Sequence, residues 1–306
     1  MTDLGTYALV ADVAFLLGGF AYAAGSDLRD REVPDGLWQL LGIVGFLIGF
    51  AAVTPYGIVP SLLWAVVGLL VIQHLFAWDV RLGAWGERYA DLLELGGYVV
   101  TVALVAVAVV RVGVGPGAVP VPVIAVLVTV IFARGLFEAG ILYGGADAKA
   151  LMVAGLLVPM FSTPLIPPPA PIAPVTMILP FAVNVLMNSA LFSVVIPLFI
   201  AVRNVRKKEF HGLSGFVGYT IPVEDLPRKY VWVRNPMSGE GREEEKSIET
   251  SEDDRRRRSE IARDLRSRGV ERVWVTPQIP FVVVMAVGVV AALVAGNILF
   301  DLIFHL

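Results

Sequence analysis

The sequence predicts an all-α polytopic membrane protein, a bundle of about eight transmembrane helices with a small cytosolic insert before the last helix. Hydrophobic residues fill 57% of the 306 positions and charged residues 17%, against roughly a half and a quarter in soluble domains. Mean hydropathy is +0.75. Apolar runs near the length that crosses a hydrocarbon core, about 20 residues, recur without the alternation of a membrane barrel. They lie at 7–25, 37–53, 58–78, 97–112, 119–142, 148–162, 176–202 and 280–303.

The connections sort by charge. Arg29 and Arg31 follow the first run, Arg81 and Arg88 the third, Lys149 the fifth, and a charged stretch beginning at Arg203 the seventh; the connections at 54–57, 113–117 and 162–175 hold no Lys or Arg. The positive-inside rule then sets the N-terminus outside and the charged connections in the cytosol. Asp3 is the only charge before the first run, so that run lacks the basic flank of a cleavable signal peptide and is expected to be retained. The proline-rich stretch 164–174 reads as an external connector, because proline removes helix donors.

Residues 203–279 carry most of the basic side chains, mixed with acids. The resulting division is a bundle at 1–202, a cytosolic insert at 203–279 and a final membrane helix at 280–306. Within the insert, 218–233 and 270–275 have the β-branched and aromatic content of short strands. Residues 238–251 read as a polar loop and 259–268 as a helix. The arginine run 255–258 reads as a solvated surface, with docking of substrate or of anionic headgroups as the second reading.

Composition also excludes chemistry. The apolar composition makes membrane lipid an expected partner, and a net charge of −3 provides no field for a polyanion, so nucleic acid is not expected. There is no cysteine, hence no thiol nucleophile or Cys-ligated zinc. The three histidines, His74, His211 and His305, lack the HExxH spacing of zinc peptidases. No metal or cofactor is expected.

Carboxylates at membrane depth are costly, and those kept there are functional candidates. Asp27 ends the first run and Asp147 opens the sixth; the orientation above puts both at the cytosolic level. Two carboxylates held close cannot both ionise, so one stays protonated to polarise a carbonyl while the other activates water. Gly144 and Gly145 would let backbone approach a substrate strand. Each aspartate also has a plainer reading: Asp147 as a helix N-cap, Asp27 as an interfacial partner of Arg29 or Arg31. Asp30 and Asp35 read as solvated, with Asp35→Asn expected to be near neutral. Asn184 and Asn188, one turn apart, are expected to hydrogen-bond between helices, Arg134 and Glu138 to form an ion pair, and Asp12 and His74 to be buried and satisfied or interfacial.

The contexts of the two aspartates carry a family resemblance. Asp27, Arg31, Val33, Pro34 and Asp35 are similar to the Asp-x-x-x-Arg-x-Ile-Pro-Asn motif of type IV prepilin peptidases, and Gly144-Gly145-Ala146-Asp147-Ala148-Lys149 looks like the archaeal form of their Gly-x-Gly-Asp motif. Val273-Trp274-Val275-Thr276-Pro277-Gln278-Ile279-Pro280-Phe281 is similar to the lead into the last span of archaeal members. The chain thus resembles the archaeal preflagellin and prepilin peptidases, departing from the first motif at Asp35.

That resemblance implies an aspartic endopeptidase that removes the leader peptide of pilin-like or archaellin precursors at the cytosolic membrane face. It implies catalytic roles for Asp27 and Asp147, and a substrate-binding role for Gly144, Gly145, Arg31, Pro34 and Lys149. Methyl transfer, which accompanies a Cys-rich segment in bacterial relatives, is not expected. The alternative from another class is a proton-coupled transporter or channel that uses the same aspartates as a relay.

Overall fold

The computed structural model describes residues 3–77, 84–113, 120–142, 144–160, 178–233 and 251–305. The connector expected at 164–174 and nearly all of the loop expected at 238–251 lie outside the described residues. Among those described, six helical spans are long and apolar enough to cross a membrane: Tyr7–Asp30, Asp35–Tyr56, Ile58–Phe76, Leu92–Arg111, Val121–Glu138 and Phe181–Arg206. Phe281–Ala295 and Ile298–Phe304, bent by 65°, make a seventh if taken together. The helical membrane fold therefore stands, with six to seven such spans rather than eight among the described residues, where the run at 148–162 includes a helix of 13 residues, Gly145–Leu157.

Two compact units divide the chain. The first comprises Met1–Gly25, Val33–Ala190 and Phe281–Leu306. Its helices are α1 (Asp3–Asp30, up to Gly25), α2 (Asp35–Val53), α3 (Ile58–Ala77), α4 (Ala84–Val112), α5 (Pro120–Glu138), α6 (Gly145–Leu157), α7 (Phe181–Ser193, up to Ala190), and, after the second unit, Phe281–Ala295 and Ile298–His305. Local sequence sets these boundaries. Pro34, with φ −58° and ψ 128°, is the N-cap of α2, and proline pre-sets this entry by fixing φ and lacking an N–H. Pro120 opens α5, where a missing donor has no cost. Gly140, at φ +66°, ends the turn after α5, where Ile141 N–H donates to Leu136 O at 2.9 Å. The chain turns back there into α6.

α6 lies at the centre of this unit. Every residue from Ala148 to Leu157 is buried, against α5, α2, α3 and the Phe281–Ala295 helix. Gly45 of α2 allows that proximity, since a Cβ on it would run into Leu157, and Gly42 and Gly49 likewise let α3 approach, where a Cβ would run into Leu75 and Trp64. Gly155 of α6 faces Thr129 of α5 in the same way. Small residues at helix crossings are the usual means of close backbone approach in lipid. α6 stops at Leu157 because Val158 precedes Pro159 and leaves the helical region, at φ −130° and ψ 84°.

The C-terminal break has a sequence cause that hydropathy alone misses. Gly296 (φ +77°) ends one helix, and the Oδ1 of Asn297 accepts from the N–H of Phe300 at 3.1 Å to cap the next. Asn188 of α7 satisfies the backbone groups freed by the bend: its Nδ2 donates to Gly296 O at 2.7 Å and its Oδ1 accepts from Ile298 N–H at 2.9 Å. Asn297 Nδ2 donates to Asn184 Oδ1 at 2.9 Å. The expected interhelical role of both asparagines is what the structure shows. Asn188→Leu would strand a buried carbonyl and a buried N–H, so we expect a stability loss of roughly 2–4 kcal/mol, read as a lowered melting temperature in detergent. Elsewhere in the unit, His74 Nδ1 bonds Leu70 O at 2.8 Å and its Nε2 meets Tyr98 Oη at 2.9 Å. Arg134 pairs with Glu138 at 2.8 Å.

The second unit comprises Ser26–Glu32 and Leu191–Pro280: the last turn of α1, then α8 (Val195–Arg206), β1 (Tyr219–Pro222), β2 (Val231–Val233), α9 (Ser251–Ser267) and β3 (Arg272–Pro277). The strands expected at 218–233 and 270–275 form an antiparallel sheet of order β1-β3-β2, with Ile221 opposite Val273 and Val233 opposite Val275. A short 3-10 turn, Val223–Arg228, separates the first two strands and packs on α9. Its small core consists of Ile221, Val223, Leu226, Val231, Ala262, Val273 and Val275. α9 contributes Ile261, Ala262 and Leu265 to it and turns most of its arginines away, the amphipathic pattern of a helix that covers a sheet. It begins eight residues before the helix expected at 259–268.

Candidate active site

Asp147 stands in the first turn of α6, and the N-cap position belongs to Gly144 (φ −96°, ψ 129°). The cap reading of Asp147 is thereby displaced by three residues. Its backbone N–H donates to Gly144 O at 3.1 Å. Its carboxylate also lies over the glycine, since a Cβ at Gly144 would sit 3.0 Å from Asp147 Oδ2. The first helical turn presents free N–H groups and the positive end of the dipole, which favours a carboxylate there. Gly145 is the first residue of α6.

Lys149, two residues beyond, is 2% exposed. Its ammonium meets Asp35 Oδ1 at 2.5 Å, joining the start of α6 to the start of α2 next to Pro34. Asp35 is thus not only a solvated acid: it faces a buried cation. A buried ammonium needs such a counter-charge. Sequence reading missed this pair because its members stand 114 positions apart and each looks individually like an interfacial charge.

Of the first motif, Asp27 and Arg31 belong to the second unit, and Val33, Pro34 and Asp35 to the first. Asp27 is buried near the end of α1. α1 closes at Asp30, and Arg31 takes a left-handed backbone, φ +59°. Ser26 Oγ donates to Glu32 O at 2.7 Å across this ending. Tyr230 fixes it from the sheet side: its hydroxyl donates to Arg29 O at 3.3 Å, and its ring lies 5.3 Å from the Arg31 guanidinium and 5.4 Å from that of Arg258. Both contacts fall within cation–π range. Asp30 pairs with Arg29 at 3.7 Å with both side chains well exposed. Tyr230 and Arg258 carry no sequence signal for this role, being remote in the chain from α1.

The structure brings Lys149 and Asp35 together, and Gly144 with Asp147. Asp27 and Asp147 belong to different units. Among the described residues no cluster of three or more His, Cys, Asp or Glu side chains is placed to hold a metal ion.

Comparison with known proteins adds two findings. Residues 213–298 match the family model described as Archaeal Peptidase A24 C-terminus Type II, a stretch that covers the three strands and all of the Phe281–Ala295 helix. Over 161 residues the chain is 29% identical to a preflagellin peptidase of Methanocaldococcus jannaschii, covering 50% of this chain and 63% of that protein. The similarity thus spans somewhat less than two thirds of the relative's own length. No solved structure matches. From its motifs, its C-terminal part and this relative alike, the chain resembles the archaeal preflagellin and prepilin peptidases.

Proposed function

We propose that this chain is a membrane aspartic endopeptidase that removes the leader peptide of pilin-like or archaellin precursors at the cytosolic membrane face. The observation that carries the reading is the ordered pair of aspartate motifs, at Asp27 and Asp147, in a chain whose C-terminal part matches a peptidase family model. Asp27 and Asp147 are the two catalytic carboxylates. One remains protonated and donates to the scissile carbonyl, while the other takes a proton from the attacking water. A leader that ends where an apolar helix begins would rest its scissile bond at the interface, where both motifs sit in sequence terms. The charge pattern of the connections supports the cytosolic side.

The local geometry refines the supporting roles. Gly144 leaves room for the Asp147 carboxylate and for a substrate strand beside it, with Gly145 continuing the opening. Pro34 and Lys149 act through position, the one starting α2 and the other tying α6 to it through Asp35. Arg31 shapes the ending of α1 through Tyr230, near the leader.

Purified protein in detergent, incubated with a pilin-like precursor and without ATP or an ion gradient, is expected to release leader and mature product of the masses set by one internal cleavage. Intact precursor after prolonged incubation, with solute uptake by reconstituted vesicles, would favour transport instead. Within this reading Gly144→Ala is expected to lower kcat about 10- to 100-fold, because the added methyl contacts Asp147 Oδ2. The backbone at φ −96° accommodates alanine, so the melting temperature should stay near that of the parent. An unchanged kcat would show that the carboxylate has room to move.

A further inference from the structure

Arg134, near the end of α5, ties three helices of the first unit together. Its Nε lies 3.5 Å from Glu94 Oε1 of α4, and its Nη2 lies 2.8 Å from Glu138 Oε1 of its own helix. Behind Glu94 stands His74 of α3, whose Nε2 is 3.3 Å from the same Oε1. The His74 ring is fixed in turn, because its Nδ1 donates to Leu70 O at 2.8 Å and its Nε2 meets Tyr98 Oη at 2.9 Å. All these residues lie in spans, where ionisable side chains are costly and mark function. The cleavage chemistry leaves them unused.

The end of α5 is also where Asp147 stands. α5 and α6 run antiparallel, with Gly155 against Thr129. Equal rise along both helices then brings Asp147, eight residues before Gly155, level with Phe137, eight residues after Thr129, and so between Arg134 and Glu138. The turn that joins the two helices is bonded to the same stretch: Ala139 N–H donates to Gly135 O at 2.9 Å, and Ile141 and Leu142 N–H donate to Leu136 O at 2.9 and 3.2 Å. Satisfied polar networks hold their members in one arrangement, so the height at which Arg134 is pinned is the height at which α6 begins. We propose that Arg134 is a positioning residue, pinned to α4 through Glu94 and to α3 through His74 behind it, which sets the first turn of α6. Its effect on cleavage rests on the reading of Asp147 as catalytic; its effect on the turn does not.

Arg134→Met keeps most of the side chain's length and removes both ion pairs. In full-length protein in detergent, amide deuterium exchange over residues 144–152 should quicken about tenfold, while residues 121–130 and 281–295 keep the parent's rates. With a pilin-like precursor, kcat should fall about tenfold or more and KM stay within about twofold. Arg134→Lys should recover part of both, since charge returns without the planar fork. Glu94→Gln should show the same pattern more weakly, and it decides the matter if Arg134→Met does not accumulate. Unchanged exchange over 144–152 would overturn the proposal whatever the cleavage result. Faster exchange throughout the first unit would reduce the network to general support of the bundle, and faster exchange at 144–152 with an unchanged kcat would show a turn that moves without consequence; either would overturn it as well. Exchange altered as expected in a protein whose parent cleaves no precursor would uphold the pinning and sink the peptidase reading alone.

Discussion

Asp27→Asn and Asp147→Asn are each expected to lower leader-peptide cleavage by about 10³-fold or more while expression and membrane insertion stay at the parent's level. Asparagine keeps the size of the side chain and can neither hold nor pass the proton that a carboxyl pair must share. Asp30→Asn is the control. Its carboxylate and the Arg29 guanidinium are 57% and 85% exposed, and an ion pair so solvated contributes little, so substantial activity should remain. The measurement is the initial rate of product formation by mass. A dead Asp30→Asn beside an active Asp27→Asn would move the first catalytic position by about one helical turn.

The second large effect falls on Asp35, where the structure reverses the expectation of neutrality. Asp35→Asn removes the negative charge that Lys149 faces in the interior, and breaking one side of such a pair leaves a buried charge uncompensated. Asp35 itself is 46% exposed, so solvent recovers part of the loss, and the expected cost is about 1–3 kcal/mol. Thermal unfolding in detergent should show a lowered midpoint. Cleavage should fall with it, because the same pair holds the start of α6 two residues from Asp147. Combining Asp35→Asn with Lys149→Met should cost less than the sum of the single changes, as a double-mutant cycle on interacting residues does. Full additivity would mean that the two side chains act independently.

The fold was readable wherever a local rule governs it. Charged residues at run ends marked α1, and the β-branched stretches marked the strands of the second unit. At α6 a hydropathy window at 148–162 registers apolar character but not whether lipid or protein surrounds it. Pro159 was the available signal that the helix stops short. Hydropathy also misses the break at the C-terminus, where Gly296 and Asn297 end one helix and cap another inside an otherwise uniform apolar run. In the candidate site, the motifs around Asp27 and Asp147 were legible because their residues are neighbours in the chain. The contacts of Lys149 with Asp35, and of Tyr230 with Arg29 and Arg31, join residues 114 and about 200 positions apart, and no spacing rule reports such pairings.

A helix of 13 residues rises only about 20 Å, less than the roughly 30 Å of hydrocarbon that a spanning helix must match. α6 escapes that requirement because helices rather than acyl chains enclose it, from Ala148 to Leu157. Changes in bilayer thickness act on lipid-facing helices through tilt and local thinning or thickening, and from Ala148 to Leu157 α6 presents almost no surface on which they could act. The stretch that follows Asp147 is thereby insulated from the lipid composition of the host membrane, as a bearing is from the flexing of its housing.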